Sequence, residues 1–211
     1  MLYVAWLCSF IGELQKEITI GIDLGKTFSS VAVCVDGQIH IIHEGKPGLV
    51  PSYVYFRSDG KQSVGQTWRL DTVFAVKRII GRTFDDPVVK QELSFFPFTA
   101  VPSNGDLAVP LIMVPHEYPR PYFPQNISAI ILKTLKTNVE QHFKWRHLLG
   151  WRVSKATISI SSNFDIAQQT ATWGAGKQAG FGTVQLIEGP AAVCAFQAHA
   201  FLFLSLMFTL L

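Results

Sequence analysis

Ten residues, I-T-I-G-I-D-L-G-K-T at 18–27, constrain this chain more than any other stretch. Ile18, Ile20 and Ile22 alternate with other residues, which predicts a buried strand. The strand ends at Asp23, the chain turns through Gly25, and a second strand is expected from Phe28 to Val35. A carboxylate at the tip of a strand-turn-strand, with a glycine beside it, has a chemical use. Glycine allows close backbone approach, successive N–H groups form an anion-binding concavity, and the carboxylate can hold a hydrated magnesium ion. Thr27 can add a hydroxyl to the same phosphates. The same residues also suit an ordinary hairpin turn, so the motif alone leaves both readings open.

A length of 211 residues suits one domain or two small ones. The formal charge of +3 is modest and spread out, which gives no nucleic-acid footprint. Lys144, Arg146, His147 and Arg152 form the basic cluster and read as a solvated helix end. Cys8, Cys34 and Cys194 are odd in number and lack metal-ligand spacing, which implies a reducing compartment or incidental thiols. Residues 1–12 are apolar but lack a basic start and a small-residue cleavage site, so 1–17 reads as an apolar extension.

Further along, Asp36-Gly37 turns the chain into a strand at Gln38 to Ile42, Gly45 to Gly48 is a loop, and Tyr53 to Phe56 is another strand. These predict an opening meander. Thr72 to Ile80 reads as a helix with Val73, Val76 and Ile80 on one face. Lys77, four positions after Val73, falls inside that apolar stripe. It either snorkels or points into a polar pocket. Asp86-Pro87 is an N-cap and first helical position, opening a helix to about Leu93. The Phe95-Phe96-Pro97-Phe98 run reads as core packing. Leu107 to Val114 is an expected strand. An amphipathic helix follows from Pro124 to about His147, with Ile127, Ile131, Leu135 and Val139 on one side. Asn126-Ile127-Ser128 is a formal glycosylation sequon, read as coincidental at a helix start. Ala156 to Ser161 is a strand, Phe164 to Ala179 a helix closed by Gly180, Thr183 to Ile187 a strand, and Pro190 begins another helix. This order belongs to an α/β or α+β layered fold.

Taken together, these blocks resemble the front half of the actin-like ATPase domain of the heat shock protein 70 family. The resemblance rests on I-G-I-D-L-G-K-T-F-S-S-V at 20–31, V-P-S-Y-V-Y-F at 50–56 and T-V-F-A-V-K-R-I-I-G-R at 72–82. It continues through F-D-D-P-V-V at 84–89, I-S-A-I-I-L-K-T-L-K at 127–136, A-T-I-S-I at 156–160 and L-I-E-G-P-A-A at 186–192. The blocks keep the family's order across about residues 18–196. The resemblance implies an α/β, actin-like ATPase (ribonuclease H-like) fold, first lobe only, with a mixed sheet and flanking helices.

Several roles follow from the resemblance. Asp23 would organise Mg2+ through water, and Gly25, Lys26, Thr27 and Phe28 would form the phosphate loop for ATP or ADP. Lys77 falls on the family's catalytic lysine, which places the attacking water and stabilises charge at the γ-phosphate. Unfolded protein clients and co-chaperones are the implied partners, protein folding and stress response the implied context, and the cytoplasm the favoured compartment, with the endoplasmic reticulum lumen as alternative.

The chain also departs from the family. Lys26 replaces a small hydroxyl residue, Gly189 stands where the family has a carboxylate with Glu188 one position early, and Ser161 and Gln169 replace a proline and an arginine of its ATP-sensing switch. The segment between Gly65 and Thr72 is short. By resemblance the second lobe is missing, so weak ATP binding and almost no turnover are expected. A non-enzymatic remnant of one lobe is the alternative.

Residues 191–211 contain no Asp, Glu, Lys or Arg. A truncated or aberrantly terminated product ranks first as the source of the apolar tail at 197–211, a tail packed on the domain second, and a membrane anchor third. Only about fifteen residues lie outside the match, short of a span of about 20.

Overall fold

The computed structural model describes residues 17–35, 38–42, 49–57, 59–65, 72–104, 108–114, 120–143 and 151–189. The expected turn at 36–37, the loop at 45–48, the end of the long helix with Lys144 to His147, and the helix from 190 lie outside these residues. So do Cys8, Cys194 and the apolar segments at both ends.

The opening stretch forms β1 (Glu17–Asp23), whose burial alternates strictly, with Ile18, Ile20 and Ile22 inside. Strands β2 (Phe28–Val35) and β3 (Gln38–Ile42) continue it as an antiparallel meander. On its other side β1 pairs in parallel with β11 (Arg152–Ile160), which pairs in parallel with β12 (Thr183–Glu188). The main sheet therefore runs β12-β11-β1-β2-β3, with the short β4 (Val50–Pro51) attached to β2. Two three-stranded sheets complete the fold. One is β6-β5-β7, from β5 (Tyr53–Phe56), β6 (Gln62–Val64) and β7 (Thr72–Phe74). The other is β10-β9-β8, from β8 (Thr99–Pro102), β9 (Pro110–Val114) and β10 (Arg120–Tyr122).

Three α-helices are described. In α1 (Pro87–Leu93), the Asp86 carboxylate accepts the Val88 N–H at 2.8 Å, the cap the sequence predicts. In α2 (Pro124–His142), Asn126 accepts the Phe123 N–H at 2.8 Å and donates to Gln178 at 3.0 Å, so the sequon asparagine serves as a helix-start bond and an interhelical tie. In α3 (Ile166–Gln178), Asp165 and Gln168 form a capping box and Gly180 ends the helix at φ +86°.

Helices α2 and α3 pack on one face of the main sheet. Phe143, just past α2, meets His40 edge-on at 5.7 Å, and Gly176 of α3 lies so near Val184 and Ile158 that a Cβ there would come within 2.9 Å of Val184. Ile20, Ile158, Ile127, Ile131 and Leu135 fill the layer between and are fully buried. Truncating one of them to alanine costs about 2–5 kcal/mol, the transfer term plus an unfilled cavity. Among the described residues no helix is long and apolar enough to cross a membrane.

Two expectations are corrected. Thr72 to Ile80 is not a helix: Thr72–Phe74 is strand β7, paired with Tyr53–Tyr55, and a single 3-10 turn covers Val76–Arg78. Cross-strand pairing, including the Tyr53–Phe74 ring contact at 5.6 Å, overrides the apparent helical spacing. The phenylalanine run is only partly core. Phe98 is buried and stacks on Phe96 at 4.6 Å, but Phe95 is 73% exposed.

Candidate functional site

The hairpin tip after β1 is held from behind by a buried serine pair. Gly25 N–H donates to Ser29 Oγ at 3.2 Å, Ser29 and Ser52 share a hydroxyl bond of 2.8 Å, and Ser52 Oγ donates to Gly25 O at 2.9 Å. Ser52 N–H also donates to Thr27 O at 2.8 Å. A Cβ on Gly25 would come within 2.0 Å of the Phe28 carbonyl oxygen, so only glycine fits this turn. Gly25 thus shapes the loop with its own N–H directed inward. Lys26, Thr27 and Phe28 are solvent-exposed at the tip.

Asp23 is exposed at the end of β1, opposite Ser159 of β11 in the parallel register, and Ser159 Oγ donates to Asp23 Oδ1 at 2.5 Å. Lys77 arrives from the 3-10 turn. Ala75, which caps that turn, adopts φ 54° and ψ 22°, a left-handed conformation that a Cβ disfavours. Lys77 is half-buried, and its Nζ donates to Leu24 O at 2.5 Å and lies 5.8 Å from the Phe164 ring centre. Burial pushes the Lys77 pKa below the usual lysine value. The Asp23 charge opposes that shift and the Lys26 charge adds to it. Asp23, Lys26 and Lys77 are therefore within electrostatic reach of one another.

Lys26 and Lys77 line a polar cleft of about 290 Å³ together with Arg78, Arg82, Asn163 and Gln168. Arg78 pairs with Glu92 at 2.5 Å and Arg82 with Asp86 at 2.7 Å. Arg82 Nε is buried with no hydrogen-bond partner. The turn carrying Lys77 is locked to α3 at Gly81, where φ is +71° and a Cβ would lie 2.4 Å from Gln168 Cα. Asp23, Gly25, Thr27 and Phe28 do not line the cleft wall; Asp23 joins the site through its charge. A larger, mainly apolar cavity of about 540 Å³ shares only Arg82 with this cleft, and Arg82 is the one charged side chain that lines it.

Sequence reasoning missed Ser29, Ser52 and Ser159. The alternation I-S-I-S at 158–161 carried a signal for Ser159, because a period of two beside β1 places it level with Asp23. Glu188 does not join them. It pairs with Ile160, one step past the Ser159–Ile187 pair, so its side chain points to the opposite face from Asp23. Gln169 donates to Phe164 O at 3.0 Å. Among the described residues no group of three or more His, Cys, Asp or Glu could hold a metal. A hydrated Mg2+ asks less, since one or two carboxylates plus phosphate oxygens suffice. A family model described as Hsp70 protein matches residues 19–196.

Proposed function

Because this chain belongs to the heat shock protein 70 family, we propose that its hairpin tip and 3-10 turn form one wall of a magnesium–nucleotide cleft in an actin-like, ribonuclease H-like lobe spanning about 18–196. The family is one of chaperones with an ATPase lineage, whose members bind nucleotide and generally engage unfolded clients and co-chaperones. In this reading Asp23, held by Ser159, carries hydrated Mg2+. Bound Mg2+ would supply neutralisation of phosphate charge. Lys26 and Thr27 face the phosphates on a turn that Gly25 makes possible and Phe28 closes. Lys77 holds the γ-phosphate end, positioning a water and stabilising charge there.

The observation that carries this reading is Lys77. A lysine that pays desolvation beside a second cation, tethered to the hairpin it faces, is arranged for an anion. The buried, unpartnered Arg82 Nε in the same cleft supports it. The second reading, a lobe that binds phosphate weakly without turning it over, draws on Glu188 facing away from Asp23 and Gly189 at the family's carboxylate position.

The test is fluorescence of a ribose-labelled ATP analogue titrated with the full chain, in Mg2+ and in EDTA. The reading expects binding in Mg2+ that weakens in EDTA and in Asp23→Asn and Lys77→Met. Equal signals under all four conditions would overturn it. Phosphate release separates the two readings: turnover lost in Lys77→Met supports the enzyme, and binding without release supports the second.

A further inference from the structure

We propose that the polar cleft lined by Lys26 and Lys77 holds a free phosphate ion without any metal, clamped between these two ammonium groups. The inference deepens the cleft reading above and rests on it only for the negative charge of the ligand. The cleft measures about 290 Å³. That lies at the foot of the range of about 300–1,000 Å³ for small-molecule pockets, room for a small ion and its water rather than a whole nucleotide. Its charges are unevenly matched. Lys26, Lys77, Arg78 and Arg82 line it, against one carboxylate, Glu92. Glu92 is held by Arg78 at 2.5 Å, and Arg82 is held by Asp86 at 2.7 Å. Lys26 and Lys77 form no ion pair among the described residues. Asp23 acts on Lys77 through its charge, but its Oδ1 already accepts from Ser159. The Lys26 charge works against that of Lys77, a repulsion that an anion between them relieves. Lys77 Nζ uses one of its three N–H donors on Leu24 O and keeps two.

A buried neutral donor points to the same ligand. Gln168 is 2% exposed and lines the cleft. Its Oε1 accepts the Asp165 N–H at 3.3 Å, which leaves Nε2 with no partner among the described residues. A buried carboxamide nitrogen without an acceptor costs free energy, and a phosphate oxygen satisfies it. Ser161 and Asn163 line the same cleft and add hydroxyl and amide donors. Two ammonium groups and three neutral donors suit a tetrahedral oxyanion, and the ammonium groups supply the positive charge that a metal otherwise brings. Asp23, Gly25, Thr27 and Phe28 do not line this cleft, so a single phosphate there needs no magnesium. A polyphosphate running past Asp23 does need Mg2+ to screen that carboxylate, which makes metal-free nucleotide a poor competitor.

Lysine acylation reads the site residue by residue. The full chain in EDTA is treated with N-hydroxysuccinimidyl acetate in sodium phosphate or in sodium chloride of equal ionic strength, and modified peptides are quantified by mass spectrometry. With phosphate about tenfold above a dissociation constant on the order of 1 mM, Lys26 and Lys77 are expected to react about tenfold more slowly. Lys133 and Lys155, outside the cleft, are expected to react at unchanged rates. Lys26→Thr, a change at an exposed position, is expected to weaken phosphate protection of Lys77 about tenfold. Asp23→Asn is expected to keep or strengthen that protection while it weakens Mg2+-dependent nucleotide binding, so the proposal and the cleft reading fail separately. Equal protection by chloride, protection that needs Mg2+, or Lys77 protection unchanged in Lys26→Thr overturns the proposal. So does ATP in EDTA that displaces phosphate at equal concentration, which would assign the cleft to the terminal phosphate of a nucleotide.

Discussion

The Lys77 ammonium donates to the Leu24 carbonyl at 2.5 Å, joining the 3-10 turn to the end of the first strand across 53 residues of chain. That bond explains how a lysine can sit half-buried, and burial sets the direction of its pH response. Its folded pKa lies below the unfolded value of 10.5, so the unfolded chain holds more protons in the window between the two. Below that window the buried charge costs stability. The cost disappears as pH rises through the folded pKa towards 10.5. Urea midpoints of the native chain and Lys77→Met, measured from neutrality to 10.5, are therefore expected to show the native chain gaining on the variant. A gap that stays constant with pH would contradict the burial argument.

Gly25 has no room for a side chain, with the Phe28 carbonyl oxygen 2.0 Å from an added Cβ. Gly25→Ala is expected to destabilise the chain by about 2 kcal/mol or more, because the turn must open and pull on the Ser29–Ser52 pair. Ser52→Ala, which keeps the turn backbone, is expected to cost about 1–2 kcal/mol for the unsatisfied partners it leaves. Chemical denaturation of both variants checks the order.

Asp86 combines a helix cap with an ion pair. Its hydrogen bond to Arg82 comes first among the causes holding its pKa below the usual carboxylate value of 3.8. The stability this provides is present above 3.8 and is lost as pH falls through the lowered folded pKa. Asp86→Asn keeps a cap for Val88 N–H and should cost under about 1 kcal/mol, while Asp86→Ala loses both and should cost about 1–2 kcal/mol. The difference between native chain and Asp86→Asn should shrink in acid, which a pH series of thermal midpoints reads directly.

Ala75 holds a left-handed backbone at φ 54° two residues before Lys77. Glycine adopts that region without the Cβ penalty, so Ala75→Gly is expected to stabilise the fold by up to about 1 kcal/mol. A loss of stability in denaturant would show that the alanine methyl contributes packing that outweighs the strain.

The legibility of the sequence follows from which forces are local. Strands β1, β2 and β5 carry their period of two in the residues themselves, and Asp86-Pro87 states the start of α1 outright. Thr72 to Ile80 misled because Val73, Val76 and Ile80 fit a helical stripe, while the pairing of Thr72–Phe74 with Tyr53–Tyr55 depends on a partner some twenty residues away. Phe95 misled because composition cannot distinguish a buried ring from its exposed neighbour. In the candidate site, Asp23 and Gly25 stand out as a motif, and Lys77 through its setting. Ser29, Ser52 and Ser159 do not, because a serine acquires a role only from the atoms opposite it. Ser159 gains its role from a parallel register set 136 residues after Asp23.

The central claim is that Asp23 and Lys77 serve one magnesium–phosphate site, and titration calorimetry of Mg-ATP into the full chain tests it most directly. The account predicts a weak heat of binding, with a dissociation constant on the order of 1 mM, that disappears in Asp23→Ala and falls sharply in Lys77→Met while both variants remain folded by circular dichroism. No heat from the folded native chain, or a heat that both substitutions leave unchanged, would contradict it.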